Sequence, residues 1–315
     1  MNKKIIALIA STLMLSTQPA MATKNTSIKN NTDKIPALAI MDTGFNTSLP
    51  IFSGRITQEV CIIGWSTCPN GSGFQEGPGS SVVDPKFIMN NGFEHGTQMA
   101  SIALQRNSKI NVVLIRIIGN TADGRRQIVP DSTISSALDW VLKNKDLYNI
   151  KAVSMSQGSL SRNTNSLDYC VKVSPVTSAV DSLSLNGVPT FFSAGNERNY
   201  TKINWPACIP SAIAISAVDK RGEVPLYTNY DSKLTDFVAQ GNIDAILPTG
   251  QTVPVAGTSA STQVAAADWL ALQSAKPLLS NLEIYNLILR TSKVAPGAKV
   301  KDAKLFDLAG AINGK

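Results

Sequence analysis

Five short apolar runs punctuate the chain: Pro36 to Met41, Ile110 to Ile118, Ile150 to Met155, Val188 to Phe192 and Ala212 to Val218. Each lacks the in-out alternation of a half-solvated strand and instead has the pattern of a strand covered on both faces in a parallel sheet. Helical spacing fills the intervals. Ile134, Ala137, Leu138, Val141 and Leu142 make one apolar stripe behind Pro130 and Asp131, which together form a start signal. Near the end, Ser280 and Glu283 have the spacing of a capping box ahead of Ile284, Leu287 and Ile288. Alternation of this kind predicts an α/β fold with three layers, helices on both faces of a mostly parallel central sheet. The stretch from Arg55 to Gly92, rich in Gly, Ser, Pro and Asn, breaks the pattern and is expected to be loop with a short hairpin. No repeat or linker divides the chain beyond residue 34, so residues 35–315 are expected to be one domain.

The two ends of the pattern differ in kind. Lys3 and Lys4 precede an uncharged run from Ile5 to Leu15 and then Ala20-Met21-Ala22, the arrangement of a secretory signal over residues 1–22. Residues 23–34 are a polar lead-in of Asn, Thr and Lys. The apolar run is shorter than the roughly 18 residues that a membrane span needs, so the expectation is an exported protein, secreted or periplasmic, with no membrane anchor. Of the formal charge of +7, two units belong to Lys3 and Lys4. The remainder is scattered, with no basic run or aromatic interleaving that would mark a nucleic-acid partner. Four cysteines in an exported chain favour two disulfides. Spacing suggests Cys61 with Cys68 and Cys170 with Cys208, while the sequence alone permits three pairings.

The chain contains a single histidine, His95, in Glu94-His95-Gly96-Thr97 at the start of a helical stretch through Leu104. Any histidine general base must be this residue. A lone histidine is usually structural, but two other segments bracket this one. Asp42, in Met41-Asp42-Thr43-Gly44, closes the first apolar run and so stands at the carboxyl end of a strand, where α/β sheets collect their functional groups. Ser259, in Gly257-Thr258-Ser259, opens a small-residue helix whose amide and positive end would lie beside the hydroxyl. Taken singly, Asp42 reads as a turn residue and Ser259 as an N-cap. Asn196, in Ser193-Ala194-Gly195-Asn196 after another strand, offers a side-chain amide, its plainer reading being a left-handed turn residue. One histidine and cysteines at disulfide-like spacing leave too few ligands for a usual zinc site, and no cofactor motif is present.

The order Asp, His, Ser, with an amide donor between His and Ser, resembles the subtilisin-like serine peptidases, or subtilases, over about Ile35 to Ile312. Asn229-Tyr230, Val238-Ala239-Gln240-Gly241 and Leu305-Phe306-Asp307 extend the resemblance. It implies a secreted serine endopeptidase in which Asp42 orients the imidazole and His95 acts as base and then acid. Ser259 would be the nucleophile, and Asn196 with the Ser259 amide would form the oxyanion hole. The partner would be an extended peptide or protein substrate lying between Ser156-Gln157-Gly158 and the segment from Gly119 to Arg126. Its first side chain would enter near Ser193, Ala194, Gly195 and Glu197; Glu197 could favour a basic side chain there, its plainer reading being a solvated surface acid. The alternative is a catalytically silent binding protein of the same fold. An α/β-hydrolase esterase is disfavoured, because no histidine follows Ser259.

Several positions depart from the subtilase pattern. Gln98 stands where many members have a second His, Ser101 where a helix Gly is common, and Gln263 where a Pro frequently follows the serine. The helix after His95 runs straight into Asn107-Ser108-Lys109, without the inserted loop that holds calcium in many members, so no tight calcium site is expected there. The stretch from Ala22 to Asp42 is too short for the family's inhibitory pro-domain. The expectation is therefore unaided folding, or restraint by a separate inhibitor or chaperone protein.

Overall fold

The computed structural model describes residues 35–64, 68–89, 92–160, 170–297 and 299–314. The signal and polar lead-in assigned to residues 1–34 lie outside the described residues. In chain order the strands are β1 (Ala37–Asp42), β2 (Ile56–Ile62), β3 (Phe74–Glu76), β4 (Asn111–Arg116), β5 (Ile150–Met155) and β6 (Thr190–Ser193). They continue with β7 (Ile213–Val218), β8 (Phe237–Gln240), β9 (Asn242–Ile246), β10 (Thr252–Ala256), β11 (Lys293–Ala295) and β12 (Ala303–Leu305). The helices are α1 (Glu94–Arg106), α2 (Asp131–Asn144), α3 (Pro175–Leu185), α4 (Thr258–Ala275), α5 (Asn281–Thr291) and α6 (Leu308–Asn313). Each of the five apolar runs holds a strand of the sheet.

The sheet runs β11-β12-β8-β7-β6-β5-β1-β4-β2-β3. It is parallel from β12 to β2 and antiparallel only at its two outermost pairs. One expectation fails here. The segment after Arg55 is not simply loop, because β2 pairs in parallel with β4 inside the main sheet. Its sequence, Ile-Thr-Gln-Glu-Val-Cys-Ile, is polar in its first half because that half lies toward a less covered edge, which hides it from a search for apolar runs. The hairpin expected in this region does form, from β2 and β3.

Side-chain alternation on β1 divides the core. Ala37, Ala39 and Met41 pack with Ile134, Leu138, Val180 and Leu183 of α2 and α3. Leu38 and Ile40 pack on the opposite face with Met99, Ile102, Ala265 and Ala266 of α1 and α4. With a period of two, Asp42 falls on the face of Leu38 and Ile40, toward the two helices that begin beside His95 and Ser259. The carboxyl ends of β1, β5 and β6 and the amino ends of α1 and α4 therefore meet at one edge of the sheet. The capping box predicted at Ser280 and Glu283 starts α5. Both suggested disulfides are present, Cys61 with Cys68 and Cys170 with Cys208.

Candidate active site

Asp42 is fully buried, and its Oδ1 accepts from Nδ1 of His95 at 2.8 Å and from the Thr43 amide at 2.7 Å. Burial alone would raise its pKa. The facing charge and hydrogen bond of His95, the Thr43 N–H and the nearby positive charge of Arg126 outweigh it and hold the carboxyl below its usual range. An ionised carboxylate can only accept, so Nδ1 of His95 donates, and Nε2 is left as the basic nitrogen.

The ring is held there by the approach of α1 to the end of β1. The residue before α1, Phe93, supplies no side-chain cap. Thr43 substitutes for one from across the site: its hydroxyl donates to the Phe93 carbonyl at 2.9 Å and accepts from the Gly96 amide at 2.9 Å. A Cβ on Gly96 would lie 2.4 Å from the Gly44 carbonyl oxygen, so only glycine permits this contact. Ser101, one of the departures, has a role on the same helix, accepting from the Ile246 amide at 2.9 Å and so tying α1 to β9.

Ser259 lies in the first turn of α4, whose N-cap is the extended residue Gly257. Ser259 is thus not the cap that a serine in this setting most often is. Its carbonyl accepts from the Ser156 hydroxyl at 3.1 Å, and Ser156 in turn accepts from Nε2 of Gln263 at 3.1 Å. Oε1 of Gln263 accepts from Ser154 at 2.9 Å. Gln263, a departure with no role legible in the sequence, therefore anchors the first turn of α4 to the end of β5 through a buried polar chain. Ser156, expected to touch substrate, is buried and turned into this chain.

Asn196 sits over the same helix start. Its Oδ1 accepts from the Thr258 amide at 2.9 Å and from the Thr258 hydroxyl at 3.2 Å, which turns its NH2 toward Gly257. A Cβ on Gly257 would lie 3.4 Å from Nδ2 of Asn196 and 3.8 Å from the amide nitrogen of Ser259. The missing side chain leaves a hollow bordered by both nitrogens. Gly195, and not Asn196, adopts the left-handed conformation of that turn, with φ 107°. Asn229, buried and absent from the candidate site residues, holds the loop by accepting from the amides of Glu197 and Asn199 at 3.0 Å. Glu197 is exposed, as a surface acid is expected to be. Its carboxylate accepts from the side-chain amides of Asn229 and Asn204.

Asp42 and His95 are thus joined directly, and Ser259 and Asn196 are joined through Thr258. Gln157 spans the two groups, following Ser156 in the chain and placing Nε2 3.3 Å from Oδ1 of Asp42. Among the described residues no hydrogen bond links the Ser259 hydroxyl to the ring of His95. Ser193 is buried as the last residue of β6, Ala194 follows it and is also buried, and Gly158 lies exposed next to Gln157.

Residues 33–311 match the subtilase family model, and the chain belongs to the subtilase family of serine peptidases. Subtilisin-like protease 2 of Trichophyton verrucosum is 27% identical over 208 residues, covering 65% of this chain and 41% of that protein. This chain thus spans less than half the length of that fungal relative. Subtilisin BL of Lederbergia lenta is 26% identical over 224 residues, covering 68% of this chain and 76% of its own. A cold adapted subtilisin-like serine proteinase of known structure superimposes with a TM-score of 0.62 at 21% identity, over 86% of this chain and 87% of that one. That last likeness is one of fold.

Proposed function

We infer that the chain is a secreted serine endopeptidase working through Asp42, His95 and Ser259. The observation that carries the reading is the 2.8 Å contact between buried Asp42 and the only histidine, at the sheet edge where the first turn of α4 holds Ser259. Nε2 of His95 takes the hydroxyl proton as Oγ of Ser259 bonds to the scissile carbonyl carbon. The oxyanion so formed takes hydrogen bonds from Nδ2 of Asn196 and the Ser259 amide, the two donors flanking the hollow at Gly257. The protonated ring then donates to the leaving amine, whose bond to carbon breaks and leaves an acyl-serine. Water, deprotonated by the same nitrogen, releases the acid and restores Ser259. Throughout, Asp42 remains ionised and keeps the ring in the tautomer that exposes Nε2.

The arrangement at the first two residues of α4 supports the oxyanion role of Asn196, since Thr258 occupies its oxygen and leaves its donor free. Export is supported by the leader sequence and by the two disulfides, which persist in oxidising compartments. An extended peptide is the substrate class that the cleft between residues 156–158 and 119–126 fits. Cleavage of unstructured peptides tests the reading. Ser259→Ala should abolish turnover, and Asn196→Ala should lower kcat by about a hundredfold to a thousandfold with KM little changed, the magnitude known for a subtilisin oxyanion donor. Full turnover by folded Ser259→Ala would refute it.

A further inference from the structure

Arg126 stands opposite Gln157 across the cleft. One guanidinium nitrogen donates to Oε1 of Gln157 at 2.7 Å. Among the described residues no carboxylate lies within ion-pair distance of Arg126, whereas its neighbour Arg125 pairs with Asp123 at 2.8 Å. The arginine is also pre-positioned. Residues 119–127 form a tight hairpin closed by the Gln127 amide on the Gly119 carbonyl at 2.9 Å. Beneath it, buried Arg116 donates to Oδ1 of Asn120 and to the Val82 carbonyl, each at 2.8 Å. Gly124, with φ 80°, packs so tightly on the Phe87 ring that a Cβ there would overlap it.

Arg126 and Gln157 border a cavity of about 460 Å³, whose other walls include Ile118, Val129, Trp205 and Pro206. Gln157 links this cavity to the reacting groups, because its Nε2 also reaches Oδ1 of Asp42 at 3.3 Å. A partly desolvated guanidinium held by a neutral amide gains more from a carboxylate, which can replace the amide oxygen and bond two N–H groups at once. The apolar walls suit the methylenes of the same side chain.

On the peptidase reading, we propose that Arg126 is a specificity-determining residue that selects a substrate side chain carrying a carboxylate. That side chain enters the cavity beside Gln157 and displaces its amide oxygen from the guanidinium. A lysine at the same place meets like charge and is rejected.

Matched peptides carrying Glu, Gln or Lys in turn at each position around one cleaved bond test this. The wild-type enzyme should show, at one position, kcat/KM for Glu about tenfold or more above Gln, with Lys lowest. The Glu-to-Gln ratio at that position should shrink as salt is raised. Arg126→Gln should bring the ratio near one, and Arg126→Glu should reverse the order of Glu and Lys. A wild-type enzyme that cleaves the peptides with no preference for Glu at any position overturns the proposal, as does a preference that survives in folded Arg126→Gln. If Arg126→Gln does not fold, the wild-type ratio and its salt dependence decide alone. Failure of the peptidase reading looks different, since the wild type would then cleave none of the series.

Discussion

Gly96 shows how a single missing methyl group sets the site. Because the Gly44 carbonyl is 2.4 Å from where its Cβ would be, Gly96→Ala must lift the first turn of α1 off β1 and carry His95 away from Asp42. The expected result is a loss of about 1–3 kcal/mol in stability, typical of overpacking, with kcat/KM down by more than about tenfold. Denaturant titration and peptide kinetics on the same preparation check both. Asp42, His95, Asn196 and Ser259 were legible as candidates because their residue types are scarce or their chain order is restrictive, and His95 is unique. Thr43, Asn229 and Gln263 were not, because they act by hydrogen bonds to groups far away in sequence, 109 residues in the case of Gln263 and Ser154. Gln263 appeared only as a departure, and the Asn229 and Asn204 partners of exposed Glu197 went unread, because nothing local in the sequence names such partners.

At the level of elements, the far end of the helix that carries His95 is clamped to the middle of the helix that carries Ser259. Nε and one terminal nitrogen of Arg106, the last residue of α1, grip the two oxygens of Asp268 on α4 at 2.6 and 2.8 Å. Asn107 adds a bond to the Ala267 carbonyl at 3.1 Å. Burial pushes the Asp268 carboxyl up despite the arginine, so the carboxylate depends on its partner. Arg106→Ala should cost about 3 kcal/mol, the lower end for a broken buried pair because Arg106 itself reaches solvent. A shift in the denaturation midpoint of that size checks it, and an unchanged midpoint would make the clamp irrelevant. The parallel sheet and most helices were legible from apolar runs and caps because covered strands are apolar throughout. β2 was missed because its exposed half is polar, and β8 because its apolar stretch is only Phe237 to Ala239, between Asp236 and Gln240.

For the whole molecule, one largely buried acid far from the reacting groups makes stability depend on pH. Asp236 accepts from the Ala214 amide at 2.7 Å and the Tyr285 hydroxyl at 2.6 Å, yet burial pushes it up to about 6. A raised carboxyl favours the folded state while protonated. Its contribution is complete below the ordinary aspartate value near 3.9 and is lost as pH rises through 6. At roughly 1.4 kcal/mol per unit, the stability of wild type relative to Asp236→Asn should fall by about 3 kcal/mol between pH 4 and pH 7. Denaturation at a series of pH values measures it, and a flat difference would contradict it. Asp42 has the opposite sign: its depressed value means that its contribution is present above the ordinary range and is lost in acid. The central claim concerns Ser259, and the most direct measurement is labelling of the native protein with a serine-reactive fluorophosphonate, followed by mass spectrometry of the modified peptide. A single adduct on Ser259 is expected, absent after heat denaturation and absent in Ser259→Ala. No adduct on the folded protein, or one on another residue, would contradict it and leave a binding protein of subtilase fold.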